Sequence, residues 1–435
     1  MNIKSIKNAS WIIGCRIFQS ILAFVISMLT ARYLGPSNYG LINYAQSITT
    51  FVAPIMHLGF NWVIVKELIN YPEEEEKTLG TCITLSICSA FVCIIGILSF
   101  CAVVNVNDKT TLVVCALYST ALIFQALELI QFWFQAKYLS KYVALVSLAA
   151  YIIVSAYKSY LLITAKSVYW FAVSHSLDYC IIALSLIFFY RKLTGKRLSF
   201  SWPVAKRVLR LGKYYIFSGL MVTIFLQTDK IMLKLMIGDS ALGMYSAAAT
   251  CTSVASFVFA AINDSMRPFV LESKKQSTAE YERSVIQLYF CVFYSALLYA
   301  LVLFAFAPNI ISILFGSEYL DSTAILRVLA LYTVFSYYGG AKDIWILAEG
   351  KQKYLLIINI IGAISNVFLN YFWIKTYGAI GAAWASFITQ FVTNVIVVAL
   401  IKPIRRNNLL LLKALNPCNL IDVIQSLKSN NTEKR

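Results

Sequence analysis

Twelve apolar runs, each long enough to cross a bilayer, alternate with short polar connections along the chain. A spanning helix needs about 20 mostly apolar residues. The runs fall near 11–33, 41–64, 79–104, 111–135, 143–164, 168–190, 214–236, 242–263, 285–307, 324–347, 354–374 and 378–401. The pattern predicts an all-α membrane protein of twelve transmembrane helices. The longest connection, 191–213, reads RKLTGKRLSFSWPVAKRVLRLGK. Its second part sets Trp202, Val208, Leu209 and Leu211 among Lys and Arg, so it is expected to lie along an anionic leaflet. The acidic run Glu73 to Glu76 reads as a solvated helix start. After Ile401 the chain turns polar and basic; Leu409 to Leu415 is expected to form a short interfacial helix, and the end beyond Ser426 has the composition of a disordered tail.

One turn occurs twice. Gly35 to Ala45 reads GPSNYGLINYA and Gly238 to Ala248 reads GDSALGMYSAA, an offset of 203 residues, close to half the chain. Gly35, Gly40, Gly238 and Gly243 therefore stand as paired turn or hinge positions. The chain divides into an N-terminal six-helix bundle (1–190), a basic amphipathic linker (191–213), a C-terminal six-helix bundle (214–402) and a basic tail (403–435). A repeat offset by an even number of spans keeps its orientation, so the halves are expected to be pseudo-symmetric about the membrane normal and to enclose a central cavity.

Composition agrees: 60% of residues are hydrophobic and 13% charged, against roughly 25% charged in soluble domains. The first run continues to Leu34 without a small-residue cleavage site, so it is expected to be kept as a span. A net charge of +17 would suggest nucleic acid in a soluble protein. With the N-terminus placed inside, 28 Lys and Arg, Lys342 among them, are counted to inner connections and tails, and six, Arg32, Lys109, Lys166, Lys234, Arg327 and Lys375, to outer ones. That asymmetry marks both termini as cytoplasmic, and no nucleic-acid partner is expected. Ten cysteines without CxxC spacing and two histidines offer no disulfide framework, metal site or cofactor.

The segments TARYLGPSNYGLINYAQSI (Thr30 to Ile48) and TDKIMLKLMIGDSALGMYSAA (Thr228 to Ala248) resemble those of bacterial polysaccharide-export flippases, the Wzx-type O-antigen translocases. That family belongs to the superfamily of multidrug and toxin extrusion (MATE) carriers and the lipid II flippase. The resemblance runs from about residue 5 to 402. It implies a MATE-like fold in the bacterial inner membrane and transfer of undecaprenyl-pyrophosphate-linked oligosaccharide from the cytoplasmic to the periplasmic leaflet. Polymerase and chain-length proteins of the same pathway are its implied partners. The two additional C-terminal spans of the lipid II type are not expected here, which argues against that substrate.

Ionisable groups inside spans are costly and mark function by default. Arg16 lies about one turn into the first span; reflection about the turn at 36 places it opposite residue 56, beside His57. A guanidinium suits pyrophosphate through two parallel hydrogen bonds, although snorkelling to headgroups is the competing account. His175 and Asp178 share a helix face, and reflection about residue 166 sets Lys158 opposite residue 174. These three form either a proton-responsive cluster or a structural ion pair. Asp229 and Lys230 are neighbours about 100° apart on a helix, one free to face a cavity; a boundary pair is the alternative. The repeat puts Ile26 and Ser27 at their positions in the first half. Glu128 either neutralises Arg16, binds a coupling cation or makes a helix–helix hydrogen bond. Substrate-binding candidates are thus Arg16, His57, Lys158, Asp229 and Lys230; coupling-ion candidates are Glu128, His175 and Asp178. Tyr44, Tyr245, Tyr337 and Tyr338 are candidates for stacking on sugars, against ordinary belt or core packing.

Two other functions compete. A cation-coupled multidrug exporter of the same superfamily would want an acidic, aromatic cavity, which the mixture of Arg16, Lys158 and Lys230 disfavours. A membrane glycan polymerase would want catalytic groups on a sizeable outer loop, and no outer connection exceeds about 16 residues on these spans. The expectation is therefore a transporter rather than an enzyme.

Overall fold

A computed structural model describes residues 3–106 and 108–416, with side chains from Gly14 onward except that of Arg16. The tail beyond 416, including the expected disordered end, lies outside the described residues. The helices are α1 (Ile3–Met56), α2 (Phe60–Asn70), α3 (Glu75–Val104), α4 (Lys109–Ser119), α5 (Ala121–Glu128), α6 (Gln131–Ala136), α7 (Ser140–Ile163) and α8 (Val168–Thr194). There follow α9 (Trp202–Met236), α10 (Asp239–Ser253), α11 (Ser256–Gln276), α12 (Thr278–Ala305), α13 (Ala307–Leu314), α14 (Ser322–Ala348), α15 (Lys353–Phe391), α16 (Val397–Leu400) and α17 (Arg406–Ala414).

Ten helical stretches among the described residues are long and apolar enough to span a membrane, so this is a multi-pass membrane protein. Two of them are double. The first is broken by Gly35 (φ 69°, ψ 172°) and the last by Gly378 (φ 60°, ψ −138°), which brings the spans to twelve. Glycine enters the left-handed region without steric cost, and Pro36 then opens the next helix, where its missing N–H is not needed. Both breaks coincide with connections expected from hydropathy.

The chain forms two compact units. Unit 1 holds residues 1–247 with 314–319, and unit 2 holds 248–313 with 320–435. In unit 1 a core of Phe60, Leu79, Trp133, Phe134, Leu186 and Tyr190 packs α2, α3, α6 and α8 together. In unit 2, Tyr289, Tyr338, Trp345, Ile358 and Leu410 are among the buried residues that join α12, α14, α15 and α17. Lipid tails are as apolar as leucine, so such contacts hold by close packing rather than by escape from water.

The linker is docked onto unit 1. Its amphipathic part is continuous with the following span in the 35-residue α9. Arg207 donates from Nε to Glu67 (2.7 Å) and from Nη2 to Glu74 (2.6 Å), and its guanidinium lies 4.0 Å from the Tyr71 ring centroid. Lys196 pairs with Glu76 at 2.7 Å, Lys137 pairs with Glu75, and the Trp133 indole donates to Glu75 at 3.1 Å. The Ser199 and Ser201 amides donate to the Glu76 carbonyl and the Thr81 hydroxyl. The acidic run is therefore not a solvated helix start: Glu74, Glu75 and Glu76 are the seats for basic side chains, two of them from the linker. Lys196 is held above the usual lysine range by its hydrogen bond and charge interaction with Glu76.

Glu67 is 3% exposed, so removing its partner strands a buried carboxylate. Arg207→Ala is expected to lower the unfolding free energy by about 1–3 kcal/mol, a range set by the half-exposed arginine. Arg207→Lys restores only part of this, because an ammonium cannot fork between two carboxylates. Thermal unfolding of the purified variants checks both.

Candidate functional site

The two repeated turns meet within unit 1. A Cβ on Gly40 would collide with the Asp239 carbonyl and the Gly243 amide, and a Cβ on Gly243 with the Pro36 carbonyl. Each turn's second glycine thus receives the opening of the other turn. Beside them the Tyr319 hydroxyl donates to the Ala31 carbonyl at 2.9 Å, and Tyr39 and Ser27 share a hydrogen bond of 2.9 Å. Gly35 and Gly238 hold the positive φ that starts each turn.

A buried network at the same end escaped the sequence reading, which assigned Lys234 to an outer loop. Lys234 is 9% exposed. Its ammonium donates to Asp239 (2.5 Å), Thr111 (3.3 Å) and Asp108 (3.4 Å), and lies 5.7 Å from the Tyr44 ring. Asp108 also caps α4 by accepting from the Thr111 amide at 3.0 Å. Burial works to raise the Asp108 carboxyl, but the hydrogen bonds from Thr111 and the Lys234 charge prevail and hold it below its usual range. Asp239, just past the turn, was the one available signal; nothing local announces a partner 126 residues away.

Asp229 and Lys230 lie on α9 close to this end. Asp229 is buried and accepts from the Tyr245 hydroxyl at 2.8 Å, so the second repeat supplies its partner. Lys230 is half-buried and feels the charge of Asp229. Ala247 and Ala248 are fully buried across the turn.

The other charged cluster spans α5, α7 and α8. Lys158 on α7 interacts electrostatically with Asp178 and His175 on α8, and Asp178 with Glu128 at the end of α5. Asp178 Oδ1 is buried with no hydrogen-bond partner among the described residues. The His175 ring stacks on Tyr118 with centroids 3.9 Å apart and meets Tyr179 edge-on at 5.1 Å. The structure thus places Lys158, His175 and Asp178 together and adds Glu128 and Tyr118 to them. It does not add Lys230, whose charge interaction is with Asp229. His57 sits at the break between α1 and α2, half-buried, its Nδ1 finding no partner among the described residues. The Arg16 side chain lies outside the described residues.

The four tyrosines are occupied. Tyr44 accepts from Asn105 at 3.2 Å, Tyr245 serves Asp229, Tyr337 stacks on Phe259 at 3.9 Å, and Tyr338 accepts from Asn407 at 2.7 Å. In unit 2 a second buried cation, Lys342, was also counted among loop residues in the sequence. It is 3% exposed and donates to Asn394 Oδ1 at 2.9 Å.

Residues 5–272 match the family described as polysaccharide biosynthesis protein. The chain is 22% identical over 392 residues to the capsular polysaccharide biosynthesis protein CapF of Staphylococcus aureus, covering 89% of this chain and 96% of that one. Among solved structures, a MATE family transporter of the MOP superfamily in an inward-facing conformation superposes with a TM-score of 0.69 at 13% identity, over 90% of this chain and 95% of that chain. The lipid II flippase MurJ in an inward closed conformation superposes with a TM-score of 0.67 at 16% identity, over 95% and 92%. At such identity the structural likeness establishes the fold, and the all-α, MATE-like expectation holds.

Proposed function

Because the chain belongs to the polysaccharide biosynthesis protein family, we propose that it is a flippase for lipid-linked surface polysaccharide. In this reading it carries undecaprenyl-pyrophosphate-linked repeat units, of O-antigen or related glycans, across the inner membrane from the cytoplasmic to the outer leaflet by alternating access. The observation that carries the reading is the family match on a MATE- and MurJ-like fold with buried charges of both signs.

The chemistry supports the roles proposed for individual residues. A pyrophosphate head needs cations that tolerate desolvation, and Lys230, Lys158 and Arg16 lie in apolar spans. Asp229, held by Tyr245, keeps a counter-charge beside Lys230 for the empty state. Glu128, His175 and Asp178 are proposed to take the coupling proton or cation. Asp178 Oδ1, without a hydrogen-bond donor among the described residues, is the acceptor for it. Both termini are proposed to lie in the cytoplasm, and polymerase and chain-length proteins are proposed to receive the product.

Deleting the gene tests the assignment. The expected result is loss of surface polysaccharide with lipid-linked repeat units accumulating on the cytoplasmic face. Complementation with Lys230→Ala at normal protein level is expected to cut surface polysaccharide at least about tenfold, because a charge-assisted hydrogen bond contributes about 1.5–3 kcal/mol. Intact polysaccharide with altered drug susceptibility would instead assign the protein to multidrug export. A change of glycan chain length in a purified reaction would revive the polymerase.

A further inference from the structure

Unit 2 contains a chain of buried polar contacts that the transport reading does not use. It starts at α17, the last helix among the described residues, expected from the sequence to be a short interfacial helix. The helix α17 is present and fastened to the unit. Asn407 is fully buried, donates to the Tyr338 hydroxyl at 2.7 Å and accepts from the Tyr289 hydroxyl. Leu410, Leu411 and Ala414 are buried, and Tyr294 donates to the Leu415 carbonyl at 3.0 Å. At the rim Arg406 and Lys413 both pair with Glu282.

The next residue carries the contact inward. Asn408 Nδ2 donates at 2.8 Å to the Val395 carbonyl, which belongs to a π-helical turn, Val392–Ile396, between α15 and α16. Such turns insert a residue, rotate the side chains beyond them and cluster at functional sites. Here the turn holds Asn394, which donates to Gln390 at 2.7 Å and to the Phe335 carbonyl at 3.1 Å. Asn394 Oδ1 then accepts from the Lys342 ammonium. Gly339 lies against the Asn394 amide, where a Cβ would stand 3.0 Å from Oδ1. The remaining ion-pair contact of Lys342 is Asp343, at 3.2 Å and half-exposed.

We propose that α17 is a positioning strap: through Asn408 and the π turn it keeps Asn394 on Lys342 and the lysine buried, and its release exposes that cation. A lysine can be buried in a span only while its donors are met. The π turn is a single-turn departure from the α-helical register of the flanking helices, which makes it the element of this contact chain able to shift. The strap therefore controls when unit 2 presents a positive charge, whatever the cargo.

Amine acetylation of the purified full-length protein, followed by mass spectrometry at Lys342 and at the buried Lys234 of unit 1, tests this. Lys342 is expected to be protected in the parent protein. In Asn408→Ala its labelling rate is expected to rise about tenfold, the effect of one lost buried hydrogen bond, with Lys234 unchanged. Truncation after Asn416 is expected to leave protection intact, whereas truncation after Pro403 removes it. Lys342 labelling in Asn408→Ala within twofold of the parent, or rising no more than that of Lys234, overturns the proposal. Neither readout involves transport, so failure of the flippase assignment leaves this test standing.

Discussion

Gly40→Ala is expected to destabilise the protein by about 1–3 kcal/mol or more and to abolish normal transport, although it adds a single methyl group to a helix. The methyl would occupy the space of the Asp239 carbonyl and approach the Gly243 amide. These are backbone atoms and cannot rotate away, so the two turns must separate. Separation also strains the Lys234–Asp239 pair, because Asp239 is the residue displaced. Gly243→Ala, which meets the Pro36 carbonyl, is expected to act alike. The double variant is expected to cost less than the sum of the two, since the first opens the gap into which the second fits. Gly96→Ala supplies the opposite sign: nothing stands within 4 Å of its Cβ position in α3. Removing that helical glycine is expected to stabilise by about 0.5–1 kcal/mol. Unfolding midpoints of the four variants and the parent, with surface polysaccharide measured in the same strains, decide the matter. Gly40→Ala unfolding like the parent would mean that the turns do not interlock.

The spans were legible because hydropathy acts over twenty residues and lipid enforces it. Gly35 was legible as a break because only glycine enters the required φ cheaply, and Pro36 follows it. The partners were not. Lys234 and Lys342 lie near the ends of spans, where counting charges by position treats any cation as loop. Whether such a lysine reaches outward to headgroups or inward to a partner depends on residues such as Asp108 and Asn394, 126 and 52 positions away. The acidic run misled for the same reason: its seats are filled by Lys137, Lys196 and Arg207 from elsewhere in the chain. Lys158, His175 and Asp178 were within reach because a short turn joins their helices, and a hairpin can be folded back on paper. Glu128 comes from a different hairpin, and periodicity says nothing about how hairpins pack.

Lys158 and Asp178 give the second large effect, and they separate a structural role from a transport role. Lys158→Met leaves Asp178, which also faces the charge of Glu128, without its cation, and one Asp178 oxygen already lacks a hydrogen-bond partner among the described residues. Lys158 and Asp178 are both half-buried and interact by charge without a direct ion pair among the described residues, so loss of the cation is expected to cost about 1–3 kcal/mol, an appreciable part of the roughly 5–15 kcal/mol that stabilises a typical protein. Low protein level and a lowered unfolding midpoint are the expected results. Replacing both partners, Lys158→Met with Asp178→Asn, removes the uncompensated charge. Exchange of whole buried pairs for neutral groups is often neutral or favourable, so stability is expected to return to within about 1 kcal/mol of the parent. Two helices merely locked together would then work again. A carboxylate that must gain and lose a proton or cation during each cycle cannot be replaced by an amide. The double variant is therefore expected to be stable, present at normal level in the membrane and still without surface polysaccharide. Full recovery of polysaccharide would reduce the Lys158–Asp178 pair to packing and leave Glu128 and His175 as the remaining coupling candidates in this part of unit 1.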